Sequence, residues 1–312
     1  MHNAHDVLTP ESLTMLQVIA QEGSFASAAR HLGLVPSALT YRVRQIEDAL
    51  DVLLFDRSAR QARPTEAGME LLREGARLLQ DIDAVAHRVR RVATGWEPQL
   101  TLSVDGVISR PTLLELVEAF YATAPPTRLK LRDGIMQGTL EALTSGRADL
   151  ALGVSVGGSN VAGLHQEPLG DVRFVFVVAP HHPLASAAEP ITDATLLQHR
   201  AVAVADSAQR GGATMGLLGG QDVFTVDTMQ AKVQVQLRGL GCGFLPEPMV
   251  RPYLAAGHLV AKQVARPERS LRVHYAWGGP GFTAPGRALQ WWLTQLKSPT
   301  TRHALLENHH HF

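Results

Sequence analysis

Hydrophobic positions near the N-terminus recur every three or four residues in three successive stretches, which is the spacing of one helix face. The predicted helices run from residue 10 to about 23, from 24 to 32 and from 36 to 50. Gly33 supplies the C-terminal stop of the second helix. Pro36 suits the first turn of the third, where an N–H has no helical partner. The pattern therefore predicts two short helices around a tight turn, supported by a first helix.

The third predicted helix carries polar side chains opposite its apolar face. Hydroxyl, aromatic and guanidinium groups on one helix face are typical of a helix that lies in a DNA major groove and reads base edges. The residues are Ser37, Thr40, Tyr41, Arg42 and Arg44. This face predicts DNA recognition, and the alternative is a helical hairpin whose arginines only meet solvent.

The same stretch resembles the winged helix-turn-helix of the LysR-type transcriptional regulators. The matching residues are Ala28-Ala29, Leu32, Thr40, Glu47, Leu50, Leu54-Phe55, Arg57 and Thr65-Glu66-Ala67-Gly68. The chain departs from the family at Val35 and Pro36, where a hydroxyl residue and often Gln are usual, so those family contacts cannot be carried over. Asp51 replaces the usual Gly, so that turn must close in another way.

The segment after the third helix, residues 56–64, has no helical face and resembles the two-stranded wing of the family fold. Its arginines would reach backbone phosphates or an adjacent minor groove. The alternative is a solvated loop. The candidate DNA-contacting residues are Ser24, Ala26, Arg30, Pro36, Ser37, Thr40, Tyr41, Arg42, Arg44, Arg57, Arg60 and Arg63.

A long helix is predicted from residue 65 to residue 92, with apolar positions spaced four and three apart as in a heptad seam and one weak position at Gly75. A helix this long has no evident partner within its own domain, so we expect it to pair with its copy. The resemblance implies the same, because the family dimerises there. The alternative is packing against its own C-terminal domain. The candidate dimer contacts are Leu71, Leu78, Ile82, Val85 and Val89.

Beyond Gly95 strands and helices alternate, which favours a parallel, wound α/β sheet. This part resembles the LysR effector domain, which is two-lobed and similar to periplasmic binding proteins. The motifs that carry the resemblance are Ser-Gly-Arg-Ala-Asp-Leu-Ala, Pro-His-His-Pro-Leu-Ala and Gly-Leu-Gly-Cys-Gly-Phe-Leu-Pro.

The expected fold class is therefore α/β, with an N-terminal winged helix-turn-helix, a long linker helix and a two-lobed, periplasmic-binding-protein-like effector domain. By analogy with the family, the chain crosses between lobes near residues 163–171 and returns near 266–270. The expected domains are 1–64 for DNA binding, 65–95 for the linker, 96–300 for effector binding (lobe I, 96–167 and 269–300; lobe II, 168–268) and 301–312 as a tail.

Ligands of open parallel sheets bind beyond the carboxyl ends of strands. Four predicted strand ends supply the candidate effector contacts Asp105, Gly106, Val107, Asp133, Gly134, Ile135, Ala205, Asp206, Ser207, Asp227 and Thr228. Because each turn carries an aspartate, we expect a neutral, hydroxylated or cationic effector, unless Arg110, Arg132 or Arg210 turns inward. The alternative is that the aspartates cap helices, above all Asp227.

Composition narrows the function classes. The net charge is zero, so placed arginines must hold DNA in the absence of bulk positive charge. A single cysteine, no long apolar run and no secretory signal predict a cytoplasmic protein without a disulfide framework or membrane span. Cys242 lies between glycines in a segment that does not fit a dinucleotide motif, and we expect an inert, buried thiol. His309 to His311 are expected to be a tail, and no metal site, catalytic constellation or cofactor is expected.

We therefore expect a transcription regulator and no enzyme. Its expected partners are double-stranded DNA with a two-fold site, a small-molecule effector and its own copy as a dimer or tetramer, with RNA polymerase a further candidate. One alternative is a solute-binding module with a helical adaptor, against which the missing signal peptide argues. Another is a small-molecule enzyme, against which the missing base–nucleophile pair argues.

Overall fold

The computed structural model describes residues 3–56, 62–123, 125–155, 163–208, 217–279 and 282–309. The chain forms two compact units, residues 1–89 and 90–312. None of the helices in these described ranges is long and apolar enough to cross a membrane.

Unit 1 is helical, with a short two-stranded ribbon. Its elements are α1 (Ala4–Val7), α2 (Pro10–Glu22), α3 (Phe25–His31), α4 (Pro36–Leu50), β1 (Phe55–Asp56), β2 (Arg63–Pro64) and α5 (Glu66–Thr94), the last of which continues past residue 89. The hydroxyls of Thr9 and Ser24 accept hydrogen bonds from the backbone N–H groups of Ser12 and Ser27, at 3.2 and 3.1 Å, and so cap α2 and α3. The three helices predicted from periodicity are thus confirmed.

The core of unit 1 lies where α2, α3 and α4 meet. Ile19, Ala28, Ala29, Leu39 and Val43 are all 0% exposed. The two alanines have no bulk beyond Cβ, so α3 can approach the neighbouring helices closely. The predicted apolar faces are therefore the ones that pack.

The turn after α4 closes without the glycine that the family usually has there. Asp51 itself takes the left-handed conformation, with φ of 53°, and its backbone N–H bonds to the carbonyl of Glu47. Aspartate tolerates this region better than most residues, at some cost relative to glycine.

Unit 2 is an α/β domain with eight helices or helical turns besides the end of α5 in its described residues. Its elements are β3 (Gln99–Asp105), α6 (Arg110–Ala122), β4 (Arg128–Gly134), α7 (Gln137–Thr144), β5 (Leu150–Val154), β6 (Leu164–Val178), a 3₁₀ turn (Pro183–Ser186), α8 (Asp193–Leu196), β7 (Ala201–Val204), β8 (Val223–Val226), α9 (Met229–Leu237), β9 (Gly243–Pro246), α10 (Glu247–Ala255), β10 (Val260–Ala261), β11 (Arg269–Gly278), α11 (Arg287–Lys297) and α12 (Pro299–Glu307).

The main sheet of unit 2 has seven strands, in the order β10-β6-β11-β5-β3-β4, with β9 also paired to β6. Strands β4, β3 and β5 are parallel, as are β7 and β8 in a separate pair. The prediction of a parallel sheet is wrong for β6 and β11, which are antiparallel from Leu164↔Gly278 to Phe174↔Arg269. The chain leaves lobe I along β6 and returns beside it along β11, and neighbouring outgoing and returning strands must run in opposite directions.

The expected tail from residue 301 is also wrong as far as residue 307. Ser298 caps α12, Pro299 occupies its first turn, and Leu305 and Leu306 are buried in the core of lobe I. The helix is short, so its formation depends on this tertiary burial more than on a periodic signal in the sequence. Residues 310–312, with the last two histidines of the expected tail, lie outside the described residues.

Candidate DNA-binding and effector sites

The outer face of α4 carries the polar side chains that sequence pattern assigns to DNA. At about 100° per residue, Ser37, Thr40, Tyr41 and Arg44 fall within roughly 100° of arc. Arg42 lies about 100° beyond Tyr41, at the edge of the packed face, so placing all five residues on one face was wrong for Arg42. Tyr41 is 63% exposed, and its hydroxyl accepts a hydrogen bond from Gln45 Nε2 at 3.2 Å.

The arginine side chains of this surface are exposed and can reach a binding partner. Arg42 and Arg44 are exposed, and neither pairs with a carboxylate among the described residues. Ala26, Arg30, Pro36, Ser37 and Arg63 are also exposed. Two of the predicted wing arginines, Arg57 and Arg60, lie outside the described residues, so the predicted wing is described only at its strands.

A buried carboxylate fixes the base of the wing to α4. Glu47 is 5% exposed and accepts hydrogen bonds from the backbone N–H groups of Leu54 at 2.9 Å and Phe55 at 3.4 Å. Charge-assisted bonds of this kind are stronger than neutral ones. The family pattern contains this glutamate, but the sequence alone gave it no role. The only sequence feature that could have indicated this buried role is the position of Glu47, a single acid at the edge of an apolar helix face.

The Thr-x-Ala-Gly motif joins α5 to the same segment. Thr65 Oγ1 donates to the carbonyl of Leu53 at 2.7 Å and accepts from the N–H of Gly68 at 3.0 Å, so it caps the helix and holds the chain before the wing. A β-carbon at Gly68 would lie 2.0 Å from the carbonyl oxygen of Leu54. The glycine is therefore required for α5 to approach this backbone.

The apolar stripe of α5 divides into two parts. Leu71 packs against the core of unit 1, and a β-carbon at Gly75 would lie 2.9 Å from Leu13 Cδ2. The prediction of Leu71 as a dimer contact is therefore wrong, because the first turns of α5 have a partner within their own unit. Beyond Gly75 the remaining predicted residues are exposed: Leu78 by 45%, Ile82 by 49%, Val85 by 50% and Val89 by 65%.

In unit 2, the ends of three strands meet. Asp105, at the end of β3, accepts hydrogen bonds from the N–H of Val107 at 3.0 Å and of Met136 at 2.8 Å. The loop after β4 in turn contacts the loop after β7. There the N–H of Ile135 donates to Ser207 Oγ at 2.9 Å. The loops that sequence analysis selected as the effector site thus touch across the two lobes.

Two of the predicted aspartates have other surroundings. Asp133 is exposed and paired with Arg110. Asp227 is exposed, and the cap of α9 is Thr228, whose Oγ1 accepts from the N–H of Ala231 at 3.1 Å. The alternative in which Asp227 caps the helix is wrong. Arg210 lies outside the described residues.

Of the two aspartates at the contact between lobes, Asp105 is buried and Asp206 is half-buried. Burial raises the pKa of Asp105 to about 6, against the lowering effect of its hydrogen bonds, and the charge of Asp206 raises it further. Asp206 Oδ1 accepts from the N–H of Gly138 at 3.2 Å, while its Oδ2 is buried with no hydrogen-bond partner among the described residues. This oxygen is an open acceptor position.

Comparison with known proteins decides the family. The profile described as "LysR substrate binding domain" matches residues 93–298, and the profile "Bacterial regulatory helix-turn-helix protein, lysR family" matches residues 10–69. The chain belongs to the LysR family of transcriptional regulators. As a LysR-type regulator, it binds DNA through unit 1 and responds to a small-molecule effector through unit 2. A solute-binding module without a DNA role is not favoured, because the helix-turn-helix profile matches.

Individual relatives of this LysR-type regulator cover nearly the whole chain. The uncharacterized HTH-type transcriptional regulator YeeY of Escherichia coli strain K12 is 36% identical over 285 residues, which are 91% of each chain. The probable regulator YhaJ of the same strain is 35% identical over 93% of this chain and 96% of its own. A structure of full-length CbnR complexed with its target DNA has a TM-score of 0.61 at 16% identity, covering 93% of this chain and 99% of CbnR, and it shows the common fold.

Proposed function

We propose that α4 lies in the DNA major groove with Ser37, Thr40, Tyr41 and Arg44 directed at base edges. Arg42 and Arg63 would contact backbone phosphates, which position a protein without reading sequence. The observation that carries this proposal is the polar arc of α4, in which Ser37, Tyr41 and Arg44 are exposed, on a helix whose opposite face is packed. We further propose a cytoplasmic protein, because its target is DNA, with RNA polymerase as a further partner where the regulator activates transcription.

We propose further that two copies pair along α5. The stripe from Leu78 to Val89 is apolar and about half exposed, and pairing would remove this surface from water. Two paired copies present two α4 helices to a two-fold DNA site. This architecture also supplies affinity that a chain of zero net charge lacks, because the second recognition event becomes intramolecular.

The effector that the contact between lobes favours carries hydrogen-bond donors. Asp105 and Asp206 offer carboxylate oxygens, and Asp206 Oδ2 is unused among the described residues. An ammonium or hydroxyl group would satisfy that acceptor, whereas an anion would meet the buried Asp105 and the half-buried Asp206. The effector would replace contacts such as that between Ile135 and Ser207. It would then shift the lobes toward another arrangement by no more than its differential affinity.

A gel-shift titration tests the DNA proposal with duplex fragments from upstream of the protein's own gene. Binding should weaken steeply as salt rises, because phosphate contacts release counterions. Binding that is undetectable at low salt would contradict the proposal.

Sedimentation of the full-length protein tests pairing through α5. The wild type should sediment as a dimer or tetramer, and Ile82→Asp should dissociate it by placing a charge in the stripe. Gln80→Asp, at an exposed polar position of the same helix, is the matched control and should leave the assembly intact. Equal sedimentation of Ile82→Asp and wild type would show that the stripe does not pair.

A thermal-shift screen tests the effector class. Cationic and hydroxylated metabolites should raise the melting temperature of the wild type and should raise it less in Asp206→Asn. Stabilisation by anionic metabolites alone would contradict the proposed class.

A further inference from the structure

A small cavity inside lobe II gathers positive groups that the proposed function does not use. Its lining includes Lys232, Arg266 and Arg269 together with apolar side chains such as Phe176 and Phe244. The described residues that line it include no carboxylate. As it stands, the cavity has room for about two water molecules, which is also the size of a carboxylate group.

Two of the nitrogen groups beside this cavity have no partner in the described part of the chain. Gln236 is 0% exposed, and neither atom of its amide forms a hydrogen bond to another described residue. The Lys232 ammonium likewise has no hydrogen bond or ion pair there, and burial, with the nearby charge of Arg269, lowers its pKa to about 8. Leaving a buried polar group unsatisfied costs about 1–3 kcal/mol, so the Gln236 amide weakens the fold unless something binds it.

Gly243 leaves the space between the two groups open. A β-carbon there would lie 3.2 Å from Gln236 Nε2 and 3.6 Å from Lys232 Nζ, so both nitrogens converge on the bare α-carbon of a residue that lines the cavity. Any side chain at this position would occupy the place where the donors meet.

The surrounding groups leave the positive charge uncompensated. Arg269 has its guanidinium carbon 5.1 Å from the centroid of the Phe174 ring and forms no ion pair among the described residues. Arg266, by contrast, is bound to Asp193 at 2.7 Å. Burial raises the pKa of the Cys242 thiol to about 11, so the thiol stays neutral and supplies no counter-charge.

We propose that this cavity binds the carboxylate group of a small organic acid through Lys232, Gln236 and Arg269. A carboxylate supplies acceptors to the ammonium, the amide N–H groups and the guanidinium, and it removes the cost of leaving them unpaired. Phe176 and Phe244 line the same cavity, which as it stands has room for the carboxylate group itself. The site shares no residue with the contact between lobes, so it does not depend on the proposed effector class or on DNA binding.

The test uses acetate as the probe on the full-length protein, with sodium chloride at matched ionic strength as the reference. Acetate should raise the melting temperature of the wild type in a saturable way. In Lys232→Met the acetate affinity should fall by at least about tenfold. The same variant should melt higher than the wild type without acetate, because a buried unpaired charge is replaced by an apolar chain of similar length. A merely structural lysine would give neither result.

Three further variants provide a second test of the site and two controls. Gln236→Leu should also lose the acetate response, which covers the case in which Lys232→Met fails to fold. Lys130→Met, at an exposed lysine of β4, and Ser207→Ala, at the contact between lobes, should keep it. The proposal is overturned if acetate does no more than chloride, if phosphate stabilises and acetate does not, or if the Lys232 and Gln236 variants respond as the wild type does.

Discussion

The polar groups of α4 and those between the lobes of unit 2 differ in their exposure and in their hydrogen bonding. On α4, Tyr41 and Arg44 remain exposed on a helix whose other face is packed. Between the lobes, Asp105 is buried and its oxygens are occupied by backbone N–H groups. The DNA-reading surface is therefore formed before DNA arrives. At the proposed effector site, a ligand that binds Asp105 must replace internal hydrogen bonds, whereas Asp206 Oδ2 has no partner among the described residues. The effector response would then be a choice between two arrangements.

The largest effect should come from disrupting the close packing of α5 against the chain that follows α4, because this packing supports the exposed face of α4. Gly68→Ala places a β-carbon against the carbonyl of Leu54, and we expect unit 1 to lose at least about 3 kcal/mol of unfolding free energy. Chemical denaturation followed by circular dichroism measures the change. Gly219→Ala is the control, because a β-carbon there meets nothing within 4 Å. Equal stability of the two variants would mean that the close approach is not required.

A pH titration of the unfolding free energy tests whether Asp105, between the lobes, is buried away from water. The pKa of Asp105 is raised, so its contribution to stability is complete below the unfolded value near 3.8 and is lost as the pH rises through about 6. The unfolding free energy of the wild type relative to Asp105→Asn should fall by on the order of 3 kcal/mol across this window. Asp227→Asn, at an exposed aspartate, is the control substitution. A pH-independent difference between wild type and Asp105→Asn would show that the carboxyl is not isolated from water.

Two arginine substitutions test which side chains of the exposed α4 face contact bases and which contact phosphates. Arg44→Ala removes a group from the polar arc and should weaken binding to the specific site by about 2 kcal/mol, with a smaller loss on unrelated DNA. Arg42→Ala, at the edge of the face, should weaken binding to both DNAs alike and lower the salt dependence by about one phosphate contact. Fluorescence anisotropy at several salt concentrations separates the two. The reverse pattern would mean that α4 is rotated about its axis relative to our proposal.

The smallest effect concerns the end of the recognition helix. Asp51→Gly relieves the left-handed conformation and should stabilise unit 1 by no more than about 1 kcal/mol, since glycine also loses more entropy on folding. Thermal denaturation measures it, with Asp48→Gly, inside α4, expected to destabilise instead. A loss of stability in Asp51→Gly would indicate that the aspartate side chain does more than occupy the turn.

Local signals predicted unit 1 well. Thr9, Ser24 and Pro36 mark helix starts by chemistry that acts within one turn, so the predicted helices match the observed ones. The contacts of Glu47 and the clash at Gly68 join residues that lie 7 to 14 positions apart. No local pattern reports such contacts, so the family resemblance named these residues without giving a reason.

Unit 2 shows where sequence reasoning stops. Asp105 and Asp133 each follow a predicted strand and look equivalent in the sequence. Their surroundings differ because β3 lies between β4 and β5, whereas β4 is an edge strand. The cation-lined cavity was missed altogether, since Lys232 and Gln236 come from α9, whereas Gly243 and Arg269 come from strands β9 and β11, which are distant in the sequence.

The hydroxyl of Thr65 ties the first turn of α5 to the chain that enters the wing, and Glu47 ties that chain to α4. Because these hydrogen bonds couple the three segments, we expect them to move as one body. A rotation of α5 would therefore be passed to α4 through these hydrogen bonds, and so to DNA held on the proposed recognition face.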